Sequence, residues 1–367
     1  MSRPLPTSPR RIILIKSHSA GIGDILRSSA AWAVLKNRWP EAELHLLFLT
    51  RWPGYPSEAL IREHHLLSSA HFLPMTEGRF LGMRGVGPAS WRRLLPQVGA
   101  ITARIWPDLI IDHGPHGLES TIVAGWVKRR SGAPTVGVAE VPGRGLLYDH
   151  AAPGLRPYAA RQCLDWPMDY TERDFAALAA LGLARNGQAI RLQETAGGRA
   201  LRQELAHQWP GELPVVGLNI GCGTADAAAK RPDLASLAQW LGRLAQSHPH
   251  RLLLTGAPFE TSVNAAFMDS YRRLWGNGTD ILDLAGKTTL STLTGAIAGC
   301  RLFISSDSGP YHMAVAMGMP TLALFNFPNS VHYHHHPWTR ILVAGSAEAA
   351  YDAAVSFLSI PSSGDAS

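Results

Sequence analysis

The stretch Leu302-Phe-Ile-Ser-Ser-Asp-Ser-Gly-Pro-Tyr-His312 decides the fold class. Its apolar start reads as a buried strand, Leu302–Ser305. The following segment, Pro310–Met317, reads as a helix with Pro310 suited to its first turn. A strand that passes through a short polar loop straight into a helix is the half-unit of a parallel α/β sheet. Ligands of such sheets collect at the carboxyl ends of the strands, where Asp307, Ser308 and Gly309 stand. The helix start and the Ser308 hydroxyl can hold phosphate oxygens without a metal, and His312 lies one turn further on.

The same alternation extends outward on both sides. Strands are expected at Val215–Ile220, Arg251–Thr255, Ile281–Leu284 and Thr321–Phe325, with helices at Leu234–Ala245 and Leu290–Ala298. Earlier in the chain, Arg11–Lys16, Glu43–Leu49, Asp108–Asp112 and Thr135–Ala139 read as strands and Asp24–Arg38 as a helix. The Pro- and Gly-rich region from Arg51 to Gly99 reads as loops and short helices rather than sheet. A softer stretch, Gly182 to Gly211, separates the halves, which places a boundary near residue 185 and two domains at 1–185 and 186–367. The expected architecture is α/β, with two Rossmann-like domains facing a cleft.

Composition narrows the partners. The 367 residues are 46% hydrophobic and only 17% charged, enough to bury a large core. The net charge of +6 favours an anionic partner, but no run of five or six basic residues points to nucleic acid. Three widely spaced cysteines, Cys163, Cys222 and Cys300, exclude a disulfide scaffold and suit a reducing, cytoplasmic setting. No apolar run has the length of a spanning helix, so membrane contact would be peripheral.

Four further segments could carry chemistry. The loop Ser17-His-Ser-Ala-Gly-Ile-Gly-Asp24 has Gly21 and Gly23 for close backbone approach, yet Leu26 stands where a dinucleotide fingerprint needs glycine. No Gly-Lys-Ser/Thr follows, so a Walker A loop is absent too. Asp24 is its only carboxylate, able to take a proton or, equally, to serve the helix start. The stretch Asn219 to Pro232 offers the Thr224 hydroxyl and the charges of Lys230 and Arg231 to a diphosphate, with Cys222 as a small buried thiol. Glu260, in the turn after Leu253-Leu-Thr, could hydrogen-bond ribose hydroxyls or stand as a solvated first-turn acid. The cluster Val331-His-Tyr-His-His-His-Pro-Trp338 lacks a cysteine or carboxylate at ligand spacing and reads as a polar, aromatic rim of the cleft, so no metal site is assigned.

Taken together, Arg11-Ile-Ile-Leu-Ile-Lys16, Gly21-Ile-Gly-Asp24-Ile-Leu, Leu284-Ala-Gly-Lys-Thr and Ser306-Asp-Ser-Gly-Pro-Tyr-His312 resemble glycosyltransferase family 9. That family includes the ADP-heptose:lipopolysaccharide heptosyltransferases. The resemblance implies a GT-B fold, an acceptor on the N-terminal domain and a nucleotide-sugar donor on the C-terminal one. It implies inverting, metal-independent transfer of heptose from ADP-heptose to an anionic lipopolysaccharide core or related glycan, with no cofactor. The family's base falls on Asp24 in the Gly21, Gly23 loop. Its donor-binding residues fall on Thr224, Lys230, Asp307, Ser308, Gly309 and His312, and less directly on Glu260. The loop from Lys16 to Asp24 is two residues longer than the usual form. A sugar-nucleotide epimerase of the same shape, or an inactive nucleotide-binding module, would use a similar donor pocket.

Overall fold

The structure is a computed structural model that describes residues 2–18, 21–50, 53–75, 77–80, 83–114, 118–222 and 225–360. Its chain divides into two compact units, Met1–Arg191 and Leu192–Ser367. The first opens with β1 (Arg11–His18), α1 (Ile22–Leu26), α2 (Ser28–Arg38), β2 (Glu43–Thr50), α3 (Pro56–Arg62) and β3 (Ser69–Pro74). A hairpin of β4 (Glu77–Phe80) and β5 (Met83–Val86) leads to α4 (Pro88–Ile105), β6 (Leu109–Asp112), α5 (Glu119–Ser131) and β7 (Thr135–Ala139). A 3-10 turn at Arg144–Leu147 precedes β8 (His150–Pro153), α6 (Leu155–Arg161) and α7 (Tyr170–Leu178).

The second unit starts with α8 (Ala196–Gln208), β9 (Val215–Asn219), α9 (Leu234–Ser247), β10 (Arg251–Thr255) and α10 (Thr261–Trp275). It continues with β11 (Ile281–Asp283), α11 (Leu290–Ala298), β12 (Leu302–Ser306) and α12 (Gly309–Ala316). β13 (Thr321–Phe325), β14 (Thr339–Val343) and α13 (Ala347–Leu358) complete it.

Each unit is built on one six-stranded sheet, ordered β3-β2-β1-β6-β7-β8 in the first and β11-β10-β9-β12-β13-β14 in the second. Every pair in both sheets is parallel. Counting only the strands of each sheet, both run third, second, first, fourth, fifth, sixth, which is the doubly wound Rossmann order. Central strands in such a sheet are covered on both faces, and Ile12, Ile13, Leu14 and Ile15 of β1 are all fully buried. The strand order reverses between β1 and β6 and again between β9 and β12. Each reversal opens a crevice at the carboxyl ends of that pair.

Three sequence expectations need correction. The helix expected over Asp24–Arg38 is two helices, α1 and α2, because the Ser29 hydroxyl takes the Leu26 carbonyl and breaks the ladder. The region Arg51 to Gly99 is not mainly loop: β3 joins the main sheet and α4 begins at Pro88. Polar Ser69 and His71 alternate with buried Ala70 and Phe72 in β3, an edge-strand pattern too short to stand out. Finally, the soft stretch Gly182 to Gly211 contains α8, whose glycines meet a packing need. Gly198 lies so close to Gly295 of α11 that a Cβ on Gly295 would sit 1.8 Å from the Gly198 carbonyl oxygen.

That contact yields a prediction. Gly295→Ala is expected to force α8 and α11 apart and lower stability by about 1–3 kcal/mol. Thermal unfolding measures it, and an unchanged midpoint would contradict the close approach.

Candidate functional site

In the second unit the switch point lies between the ends of β9 and β12, and the residues expected from the sequence converge there. Asp307 follows β12 directly and is buried. Its Oδ2 accepts from Lys230 Nζ at 2.8 Å and from Asn329 Nδ2 at 2.9 Å, while Oδ1 lies 2.8 Å from His332 Nδ1. Burial works against the charged carboxylate, but the donors His332, Lys230 and Asn329 outweigh it and hold Asp307 well below the usual carboxylate range. Ser308 caps α12 with its backbone; its hydroxyl donates to Asn219 Oδ1 at 3.0 Å, joining the ends of β12 and β9. Gly309 and Pro310 open α12, so the first N–H groups of that helix end at the same crevice.

Glu260 is not a solvated acid. Only 2% of it is exposed, and its carboxylate accepts from the Ala257 N–H at 2.7 Å. It occupies the space beside Gly221, where a Cβ would fall 1.7 Å from Glu260 Oε1. Glycine at 221 therefore admits Glu260 to the loop after β9. Thr224 lies outside the described residues. Cys222 is half-buried rather than buried, and Cys300 is the buried thiol.

The histidine segment is more than a rim: His335 is exposed and His332 half-buried, but one of its histidines goes inward. His334 is fully buried and its Nε2 lies 2.8 Å from Nδ1 of buried His312, while His332 reaches Asp307. Among the described residues, Asp307, His312 and His332 form one group whose donor atoms lie within 4.8 Å of one another and could hold a metal ion. The Lys230 ammonium occupies one oxygen of that carboxylate, an arrangement suited to an anion laid across Lys230 and the start of α12.

The first unit's crevice has a different chemistry. Gly21 and Gly23 lie at the start of α1, their carbonyls accepting from Ile25 N–H and Arg27 N–H. Asp24 keeps its side chain about a third exposed, with the buried Arg27 guanidinium 3.8 Å from Oδ1. A Cβ at Gly21 would sit 3.3 Å from Asp24 Oδ2, tight enough to disturb the carboxylate. Beneath it, Lys16 Nζ donates to both oxygens of buried Asp174 at 2.9 and 3.1 Å, to the Ser28 hydroxyl and to the Asp24 carbonyl at 3.3 Å. Burial opposes the Asp174 charge, yet Lys16 and His113 keep it below its ordinary value. Burial pushes His113 down, and its Nδ1 lies 3.1 Å from the Asp174 carbonyl. Sequence reading missed Arg27, His113 and Asp174. Asp174 is 158 positions from Lys16, so no local spacing announces the pair.

A sequence profile described as glycosyltransferase family 9 (heptosyltransferase) matches residues 144–354, more than half of the chain. The chain belongs to glycosyltransferase family 9. Among curated relatives, lipooligosaccharide heptosyltransferase 2 of Campylobacter jejuni is 32% identical over 111 residues. That match covers 30% of this chain and 33% of the relative, so the chain spans about a third of that protein's length. Among solved structures, the family 9 glycosyl transferase of Veillonella parvula aligns with a TM-score of 0.66 at 16% identity, over 98% of this chain and 92% of that one. The E. coli ADP-heptose lps heptosyltransferase II gives 0.62 at 18% identity, over 94% and 98%. The fold of this family 9 chain is thus GT-B.

The Asp307 cluster makes a pH-dependent prediction. Its lowered carboxyl contributes stability that is present above the unfolded pKa, about 3.9, and is lost as pH falls through the lower folded value. Asn329→Ala removes one neutral donor and is expected to cost about 1–2 kcal/mol at neutral pH, a cost that persists down to about pH 4 and shrinks only as pH falls further, through the lowered folded-state value of Asp307. Urea unfolding of both proteins across that range checks it; a cost that does not vary with pH would contradict the assignment.

Proposed function

We propose that this chain is an inverting, metal-independent glycosyltransferase that moves heptose from ADP-heptose to a lipopolysaccharide core or related anionic glycan. Family membership, and the names of the relatives and neighbours it resembles, support glycosyl transfer as the activity. The observation that carries the reading is the convergence of Lys230, Asp307 and Ser308 on the start of α12 at the β9–β12 switch point. A diphosphate leaving group needs positive charge and backbone N–H groups fixed in advance, and that combination supplies both.

The chemistry follows from the residues. The acceptor hydroxyl attacks the anomeric carbon as Asp24 takes its proton, and the bond from that carbon to the diphosphate oxygen breaks on the opposite side. The electron pair leaves with the nucleoside diphosphate, whose growing charge Lys230 and the N–H groups of α12 neutralise. In this reading residues 1–185 hold the acceptor through the Gly21, Gly23 and Asp24 loop, and residues 186–367 hold the donor. Thr224 and Ser308 offer hydroxyls to the phosphates, His312 backs them, and Glu260 lies in the turn assigned to the ribose. The activity belongs at the cytoplasmic side of a membrane, where a nucleotide sugar and a lipid-borne glycan would meet.

Asp24→Asn is expected to lower turnover of ADP-heptose with a core acceptor by about 10²–10⁴-fold. ADP affinity should stay at the wild-type value. Steady-state transfer assays beside calorimetric ADP titrations measure the split, and wild-type-like turnover would remove Asp24 from the mechanism. Conversion of the donor without any acceptor would favour an epimerase instead.

A further inference from the structure

The first unit carries an exposed aliphatic surface that neither switch-point site uses. Leu146 is 90% exposed and Leu147 55%, in the 3-10 turn between β7 and β8. Leu118 and Ile122, 51% and 45% exposed, stand four residues apart at the start of α5 and so share a face. Val141, just before the 3-10 turn, is exposed as well. Single exposed leucines are ordinary, whereas five aliphatic side chains on adjoining segments form a patch.

The patch has a rigid root. Arg144, within the 3-10 turn, is buried and pairs with buried Asp112 at 3.1 Å. The same guanidinium donates to the Ser120 and Thr121 hydroxyls in the first turn of α5 and to the Gly114 carbonyl. The two leucines are therefore fastened beside Leu118 and Ile122 and project from a fixed base.

Cations bracket it. α4 and α5 pack in register: the Trp126 indole donates to the Leu95 carbonyl, and Gly99 lies against the Arg130 guanidinium. Each of those pairs sits the same number of residues from its helix start, so the register sets Trp91 of α4 opposite Ile122 of α5, with exposed Arg92 the next residue along. On the other flank, the Leu155 N–H donates to the Glu140 carboxylate, which sets exposed Arg156 near Val141. Arg156 in turn lies over the half-exposed Trp166 ring, 4.8 Å from its centroid.

We propose that this surface docks the chain onto an anionic lipid bilayer. Aliphatic tips standing clear of the surface suit insertion among acyl chains better than they suit a pocketed protein partner. Arginines and a tryptophan around them match the phosphate and interfacial layers of a bilayer. Among the described residues no helix is long and apolar enough to cross a membrane, so this contact is peripheral. The surface stands on exposure and charge alone and does not depend on the transferase reading.

Flotation of the full chain with vesicles tests it. Wild type should float with phosphatidylethanolamine–phosphatidylglycerol vesicles, less so at raised salt, and far less with phosphatidylcholine alone. The double variant Leu146→Ser, Leu147→Ser should lower the bound fraction about tenfold. Arg92→Gln and Arg156→Gln should each lower it about fivefold at low salt. Thermal midpoints identify any variant that fails to fold, and light scattering reports the oligomeric state. The proposal is overturned if wild type stays out of phosphatidylglycerol vesicles or if the leucine variant floats like wild type. It is equally overturned if wild type is a dimer that the leucine variant dissolves, since the patch would then receive a second copy. No turnover is read, so failure here leaves the transferase reading intact.

Discussion

A carboxylate withdrawn from water persists only where donors replace the water, and Asp307 is the point at which the second unit meets that demand. Lys230 comes from the loop after β9, and Asn329 and His332 come from the segment after β13. One buried oxygen pair thus fastens two loops to the start of α12. Removing a partner would leave charge buried without compensation, so the order of these loops and the shape of the crevice stand or fall together. The sheet order makes this possible, because only at the β9–β12 reversal do neighbouring strands send their connections apart and leave room between them.

The two units share a strand order and invert its electrostatics. In the second, the carboxylate lies underneath and Lys230 stays partly open above it. In the first, Lys16 and Asp174 are both largely buried, and Asp24 is the group left partly open. One crevice therefore presents a partly open carboxylate, which the proposed reaction uses as its base, and the other presents a cation with helix N–H groups. Those are the two requirements of displacing a diphosphate with a hydroxyl. The first unit's pair also fixes the loop itself, since Lys16 bonds the Asp24 carbonyl.

Much of this was legible from residue order. Arg251–Thr255, Thr321–Phe325 and Leu290–Ala298 are apolar runs with clear punctuation, and they coincide with β10, β13 and α11. The strand–loop–helix at Leu302 to His312 announced the fold, and its polar residues stand out because they sit in one short connection. What stayed hidden depended on distance or context. β8 and β14 are short, largely half-buried edge strands without strong patterns. The histidine segment looked like a rim because nothing nearby in sequence could pair with it. Its partners, Asp307 and His312, lie more than twenty residues earlier, and the fold buries His334 against His312 and brings His332 to Asp307. For Glu260 the sequence left a ribose contact and a solvated acid equally open, because the space made for it belongs to Gly221, on another strand's loop.

The central claim is that the crevice around Asp307 binds a nucleoside diphosphate through Lys230. Calorimetric titration of the purified protein with ADP, UDP and GDP in parallel, repeated on Lys230→Met, tests it most directly. The account predicts selective ADP binding in the wild type, weakened about tenfold or more once the ammonium is gone. Binding of ADP that is indifferent to Lys230, or no binding of any of the three, would contradict it.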